Sequence, residues 1–109
     1  MEIKTMTVGL SVAAQIMPSD MKDIRNAGFR SIICNRPDGE GADQPTFEEI
    51  AKAATEAGIE AVYLPIVPGQ LGDDDAVAFG SVLTELPGPV LAYCKTGARS
   101  AMLWSLAQA

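Results

Sequence analysis

A chain of 109 residues, 48% hydrophobic and 20% charged, has the size and composition of one domain around one core, residues 1–109, with no room for a second. Its net charge of −6 speaks against nucleic acid and against an anionic membrane as partner, so any anionic ligand has to be held by local groups against the overall field. With no histidine and only two cysteines, the common zinc patterns and any cysteine–histidine pair are excluded, and no metal or cofactor is expected.

No stretch is long enough to span a bilayer. Residues 6–17 are apolar, but Glu2 spoils a basic leader and Ser11 and Gln15 interrupt the run. The segment reads instead as two short strands, 3–8 and 10–14, meeting near Gly9 in a cytoplasmic protein. Pro18-Ser19-Asp20 opens a helix to about residue 27, with Ser19 or Asp20 as cap and Gly28 as stop. Residues 29–34 form a dense apolar strand in which Cys34 is a core thiol; a reducing compartment leaves it unpaired with Cys94. A polar loop, 35–44, carries Arg36, Asp38 and Glu40. Pro45-Thr46 caps a helix over 47–57, stopped by Gly58. A strand over 59–67 and a loop over 68–72 follow. Asp73-Asp74-Asp75 fits the acidic first turn of a helix reaching about residue 86. Pro87-Gly88-Pro89 then introduces a strand over 90–93, and the last helix spans 100–108. Its apolar face, with Trp104, is left for a partner, a second copy or a further C-terminal segment.

The alternation of strand and helix from Pro18 onward predicts a three-layer α/β sandwich, a mostly parallel central sheet of about five strands with flanking helices. Ligands in such sheets bind beyond the carboxyl ends of the strands. The loops after Cys34, after Val67 and after Tyr93 are therefore expected to share the site edge.

The chemistry concentrates in the last of these. An apolar strand delivers Cys94 into a loop of small residues, Thr96-Gly97-Ala98, and Arg99 opens a helix. The N–H groups of Lys95 to Arg99, the helix dipole and the Arg99 fork make a cradle for a small anion. Such surroundings lower a thiol pKa, so Cys94 is expected to be a thiolate nucleophile. A lone cysteine is most often a core residue. That explanation leaves no reason for an arginine at the far lip of the loop. Ser100 either donates a hydrogen bond to the thiolate or caps the helix. Arg36 is a second cation at the rim, or else a surface ion pair with Asp38 or Glu40. For a proton donor the candidates are Asp38, Glu40 and the triplet Asp73 to Asp75, of which helix capping accounts for the triplet. Asp38 is preferred, since its loop follows a parallel strand and faces Cys94, although orienting Arg36 or Arg99 is its simpler role.

The run Cys94-Lys95-Thr96-Gly97-Ala98-Arg99-Ser100 resembles the active-site loops of rhodaneses and of cysteine-dependent phosphatases. Its six residues from Cys94 to Arg99 match the rhodanese length, one fewer than in tyrosine and dual-specificity phosphatases. Gln15-Ile16 with Pro18-Ser19-Asp20, Asn35-Arg36-Pro37-Asp38-Gly39-Glu40, Leu64-Pro65-Ile66 and the run from Leu103 to Gln108 are similar to another group. That group is the phosphatase-fold domain of the bacterial beta-lactamase-hydrolase-like proteins. Ala14 departs from it, standing where a glycine is expected. The resemblance implies a cysteine-phosphatase-like fold. Dual-specificity phosphatases keep their acid after the segment matching 64–67, where this chain has Pro68-Gly69.

That absence and the short loop, which suits the small terminal sulfur of a persulfide, favour sulfur transfer. In this reading Cys94 carries sulfur from a small anionic or persulfide donor, Arg99 binds the anion and Lys95 holds the donor's charge. The resemblance further implies a place in sulfide or persulfide metabolism beside a persulfide dioxygenase or a sulfide-oxidising flavoprotein. One alternative is a cysteine-dependent phosphatase with Cys94 as nucleophile and Arg99 on the phosphate. Another is a non-catalytic anion- or persulfide-binding module. A homo-oligomer is compatible with either enzyme.

Overall fold

The computed structural model describes residues 1–108. Five strands form one sheet in the order β1-β2-β5-β3-β4: β1 (Ile3–Thr7), β2 (Leu10–Ala13), β3 (Ser31–Cys34), β4 (Glu60–Tyr63) and β5 (Val90–Tyr93). β1 runs antiparallel to β2; every other pairing is parallel. The helices are α1 (Met21–Asn26), entered through a 3₁₀ turn at Pro18–Asp20, α2 (Phe47–Glu56), α3 (Asp73–Glu85) and α4 (Ala98–Ala107). The predicted α/β sandwich with its mostly parallel sheet is the observed architecture.

Alternation along the strands sorts the core into two layers. Leu91 and Tyr93 of β5, with Ile32 and Cys34 of β3, pack with Met21 and Ile24 of α1 and Ile50 and Ala54 of α2. The intervening Val90, Ala92 and Ile33 pack with Phe79 of α3 and Leu103 of α4. Central strands covered on both faces are apolar nearly throughout, which is why β5 and the later part of β3 read as hydrophobic runs; the buried Ser31 at the start of β3 donates its hydroxyl to the Pro87 carbonyl at 2.7 Å. The helices pass from one face to the other between β4 and β5. The central strand, β5, therefore ends at the point where a crevice opens beyond the strand tips.

Element ends follow hydrogen-bond supply. The strand predicted over 59–67 stops at Tyr63, because β3 ends at its register partner Cys34. Beyond it only alternate N–H groups still reach across, from Leu64 to the Cys34 carbonyl and from Ile66 to the Asn35 carbonyl, both at 2.9 Å. Pro65 between them has no N–H to give. Likewise β3 starts at Ser31 because the Phe29 N–H closes α1 on the Ile24 carbonyl. Thr46 and Glu49 form a reciprocal capping box on α2, and Asp75 accepts from the Gly72 N–H at 3.0 Å, the capping role expected of the acidic triplet. Ala14 needs no glycine: every described residue with positive φ is already one. No helix among the described residues is long and apolar enough to cross a membrane.

Candidate active site

The site begins where β5 runs out. Cys94 follows Tyr93, its N–H bonded to the Ala13 carbonyl at 3.3 Å, and the chain then turns sharply into α4. The turn depends on Gly97, at φ +93°, where a Cβ would also lie 3.3 Å from the carbonyl carbon and oxygen of Ala13. Only glycine meets both conditions. The curled backbone aims its donors inward, and the Gly97 N–H reaches the Cys94 Sγ at 3.0 Å. Cys94 is completely buried, and burial resists its ionisation. The N–H groups of Ser100, Arg99, Thr96 and Gly97 outweigh that cost and bring the thiol below its ordinary value. Cys34 goes the other way. Burial raises it, which the Tyr93 side chain and the Arg36 backbone only partly oppose, and the neutral Sγ donates to the Arg36 carbonyl at 3.3 Å.

Arg99 is fixed from two sides. Its Nη1 and Nη2 donate to Glu40 Oε2 and Oε1 at 2.7 and 2.8 Å, and Nη1 also donates to the Ile66 carbonyl at 3.0 Å. A guanidinium has five N–H donors. These bonds leave the side-on pair, Nε–H and the second Nη2–H, for an anion in the cradle. Glu40 also accepts from Arg36 Nε at 3.1 Å, and Arg36 Nη1 donates to Gln15 Oε1 at 3.0 Å. One carboxylate thus bridges two guanidinium groups. Arg99 first, and then Arg36, hold its pKa below the usual carboxylate range despite some desolvation. Bidentate charge-assisted bonds of this kind are among the strongest orienting contacts a side chain can make.

The three expected loops do meet here. Within them the side chains divide the work differently from the sequence expectation. Asp38, preferred as proton donor, turns its Oδ1 to the Phe47 N–H at the start of α2, 2.8 Å away, while its own N–H donates to the Tyr63 hydroxyl at 2.9 Å. Phe47 and Tyr63 stack at 4.9 Å beside it, so Asp38 organises the helix entry. It is Glu40, two residues on, that reaches Arg99. Arg36 is buried behind this carboxylate rather than standing at the rim. The Ser100 hydroxyl donates to Asn35 Oδ1 at 2.7 Å rather than to the thiolate, and Asn35 Nδ2 in turn donates to the Leu64 carbonyl at 3.0 Å. Ser100 therefore ties the first turn of α4 to the ends of β3 and β4, and serves Cys94 through its backbone. Lys95, Thr96 and Ala98 are exposed on the outer side of the loop.

Two contributors went unassigned in the sequence: Gln15, just past β2, and Asn35, just past β3. Both follow parallel strands that flank β5, and that position was the available signal. If Asp38 is a capping residue, Asp38→Asn keeps its acceptor oxygen and should leave turnover within about threefold, whereas loss of a true general acid costs roughly a hundredfold or more. Steady-state rates across pH distinguish the two.

The fold and this site together define a cysteine-phosphatase-like α/β domain. A crystallised candidate phosphatase from Neisseria meningitidis superposes with a TM-score of 0.93 at 32% identity, over 99% of this chain and 77% of that one. The core catalytic domain of a PP-IP phosphatase from S. cerevisiae shares the fold at a TM-score of 0.67 and 11% identity, over 87% of this chain and 56% of that one. The chain belongs to the family described as beta-lactamase hydrolase-like protein, phosphatase-like domain, which matches residues 2–109. A beta-lactamase hydrolase-like protein of Agrobacterium fabrum is 37% identical over 100 residues, covering 92% of this chain and 23% of the relative. The chain thus spans about a quarter of the length of such curated relatives. Between the two enzyme readings taken from the sequence, these relatives favour the phosphatase over sulfur transfer.

Proposed function

We propose that the chain is a cysteine-dependent phosphatase-type enzyme acting on small phosphate monoesters. One observation carries the reading: a thiolate-favouring cysteine lies within a ring of backbone N–H donors, beside an arginine whose guanidinium also faces that sulfur. The Cys94 thiolate attacks phosphorus, the P–O bond to the leaving group breaks, and a cysteinyl phosphate forms. The N–H ring and Arg99 take up the charge on the non-bridging oxygens. Water then attacks phosphorus, the S–P bond breaks, and phosphate and a proton leave while the thiolate is restored.

Among the described residues, the candidate carboxylates are engaged elsewhere and none is placed to protonate the leaving oxygen. Glu40 is kept ionised by two arginines, and Asp38 is turned to α2. The substrates that suit this site are monoesters whose leaving groups depart as stable anions, such as aryl phosphates, which release a phenolate.

The short loop from Cys94 to Arg99 supports a second reading, sulfur transfer through a Cys94 persulfide, in which the departing sulfite or thiolate needs no protonation. Parallel assays with an aryl phosphate, thiosulfate and glutathione persulfide separate the two. The proposal expects phosphate release to exceed sulfur transfer by at least about tenfold, a transition-state difference of about 1.4 kcal/mol. The reverse ratio would establish the second reading, and no turnover of any of the three would leave an anion-binding module.

A further inference from the structure

We infer that Gln15 is a positioning residue for the reaction, dividing Glu40 between two arginines so that Arg99 stays docked beside Cys94. The inference rests on the phosphatase-type reading and adds to it a residue from outside the cysteine loop. Gln15 touches both ends of that loop by different routes. Its backbone N–H donates to the Lys95 carbonyl at 3.3 Å. With the bond from the Cys94 N–H to the Ala13 carbonyl, this carries the β2–β5 ladder past the strand ends. Its side chain leads to the other end. Oε1 accepts from Arg36 Nη1 at 3.0 Å, Arg36 Nε donates to Glu40 Oε1, and Glu40 holds Arg99.

The sharing of Glu40 is uneven. Oε2 accepts from Arg99 alone, whereas Oε1 accepts from both Arg99 Nη2 and Arg36 Nε. Arg36 has the means to take more. Its Nε–H and Nη2–H form a side-on pair matched to a carboxylate, and a turn of the guanidinium would bring both to Glu40. Gln15 opposes that turn by keeping Nη1, while Nη2 rests against Gly41, where a Cβ would come within 2.8 Å. The amide is itself held: Gln15 Nε2 donates to the Ile16 carbonyl at 2.8 Å, and only Oε1 can face a guanidinium. Arg36 is 6% exposed, so little water is at hand to replace a lost acceptor. Without Gln15 the nearest replacement is Glu40, and each bond Arg36 gains there is one that Arg99 loses. A neutral acceptor also preserves the local charge, since two guanidinium groups and one carboxylate leave one positive charge beside the cradle.

Steady-state hydrolysis of an aryl phosphate by Gln15→Met, Glu40→Gln and the double variant tests the assignment. Methionine keeps the length of the side chain and the backbone bond to Lys95, but offers Arg36 no comparable acceptor. Gln15→Met should lower kcat at least about tenfold with KM within about twofold, because a loosened Arg99 fails the charge that develops on fixed oxygens. In the Glu40→Gln background, where no carboxylate is left to divide, the same change should cost less than about twofold. A residue that only supports the fold would impose its loss in both backgrounds. The Cys94 thiolate absorbance should keep its midpoint, since the N–H groups that lower it belong to Thr96, Gly97, Arg99 and Ser100. Equal fold-losses in the two backgrounds, or a kcat matching wild type, would overturn the role of Gln15 and leave the phosphatase reading intact. So would a midpoint displaced to the ordinary thiol value, which would mean that the loop itself had come apart. A wild-type chain that releases no phosphate from the aryl ester would overturn the phosphatase reading, and this inference with it.

Discussion

Replacing Cys94 with serine should abolish turnover, by at least about 10⁴-fold or about 5.5 kcal/mol of transition-state stabilisation. The size of the loss follows from what the loop can and cannot do. Its N–H donors stabilise an anion, and a thiol brought below its ordinary value of about 8.5 ionises more readily than a free one. A serine hydroxyl ionises far higher, and the chain has no histidine to remove its proton. The fold should survive, because the substitution is nearly isosteric and the oxygen still accepts from Gly97. The thiolate's ultraviolet absorbance, followed across pH as wild type minus Cys94→Ser, gives the ionisation directly. Its midpoint should fall below the ordinary thiol value, and the signal that remains in the variant, from Cys34, should lie above it. Retained activity in the serine variant, or a midpoint above the ordinary value for Cys94, would place the nucleophile elsewhere.

Glu40→Gln should lower kcat by roughly ten- to a hundredfold, consistent with about 1.5–3 kcal/mol for a hydrogen bond between charged groups. Glutamine can accept only through Oε1; its amide NH₂ would face guanidinium donors, so Arg36 and Arg99 cannot both stay docked. Two effects oppose each other in the variant. Removing the carboxylate adds a unit of positive charge at the site, which strengthens the pull on any anion. Releasing Arg99 loses the side-on presentation of Nε and Nη2. Ground-state attraction tolerates a mobile arginine, whereas charge developing on fixed oxygens in the transition state does not. The loss should therefore fall on kcat, with KM unchanged or lower. A rise in KM at constant kcat would instead make Glu40 part of substrate binding and overturn its role as a positioning residue.

The cysteine loop was legible in the sequence because each of its requirements is local. A strand must end, a left-handed residue must follow, and donors on consecutive residues must converge; Cys94, Gly97 and Arg99 meet those requirements within one short segment. Layering was legible for a similar reason, since β5 buries both faces and alternation alone sends Leu91 and Tyr93 one way and Val90 and Ala92 the other. Which carboxylate serves Arg99 was not legible. Asp38 and Glu40 share one loop with equal chemistry, and the choice between them depends on the approach of α2, whose Phe47 N–H takes Asp38 and leaves Glu40 to the arginines. The Gln15, Arg36 and Glu40 series has the same character. Its members lie beyond β2 and β3, strands distant in sequence from β5, and only the sheet order that sets β5 between them brings their tips to one edge. Local backbone chemistry is written in neighbouring residues, but pairing among long side chains is decided by tertiary contacts that no short stretch contains.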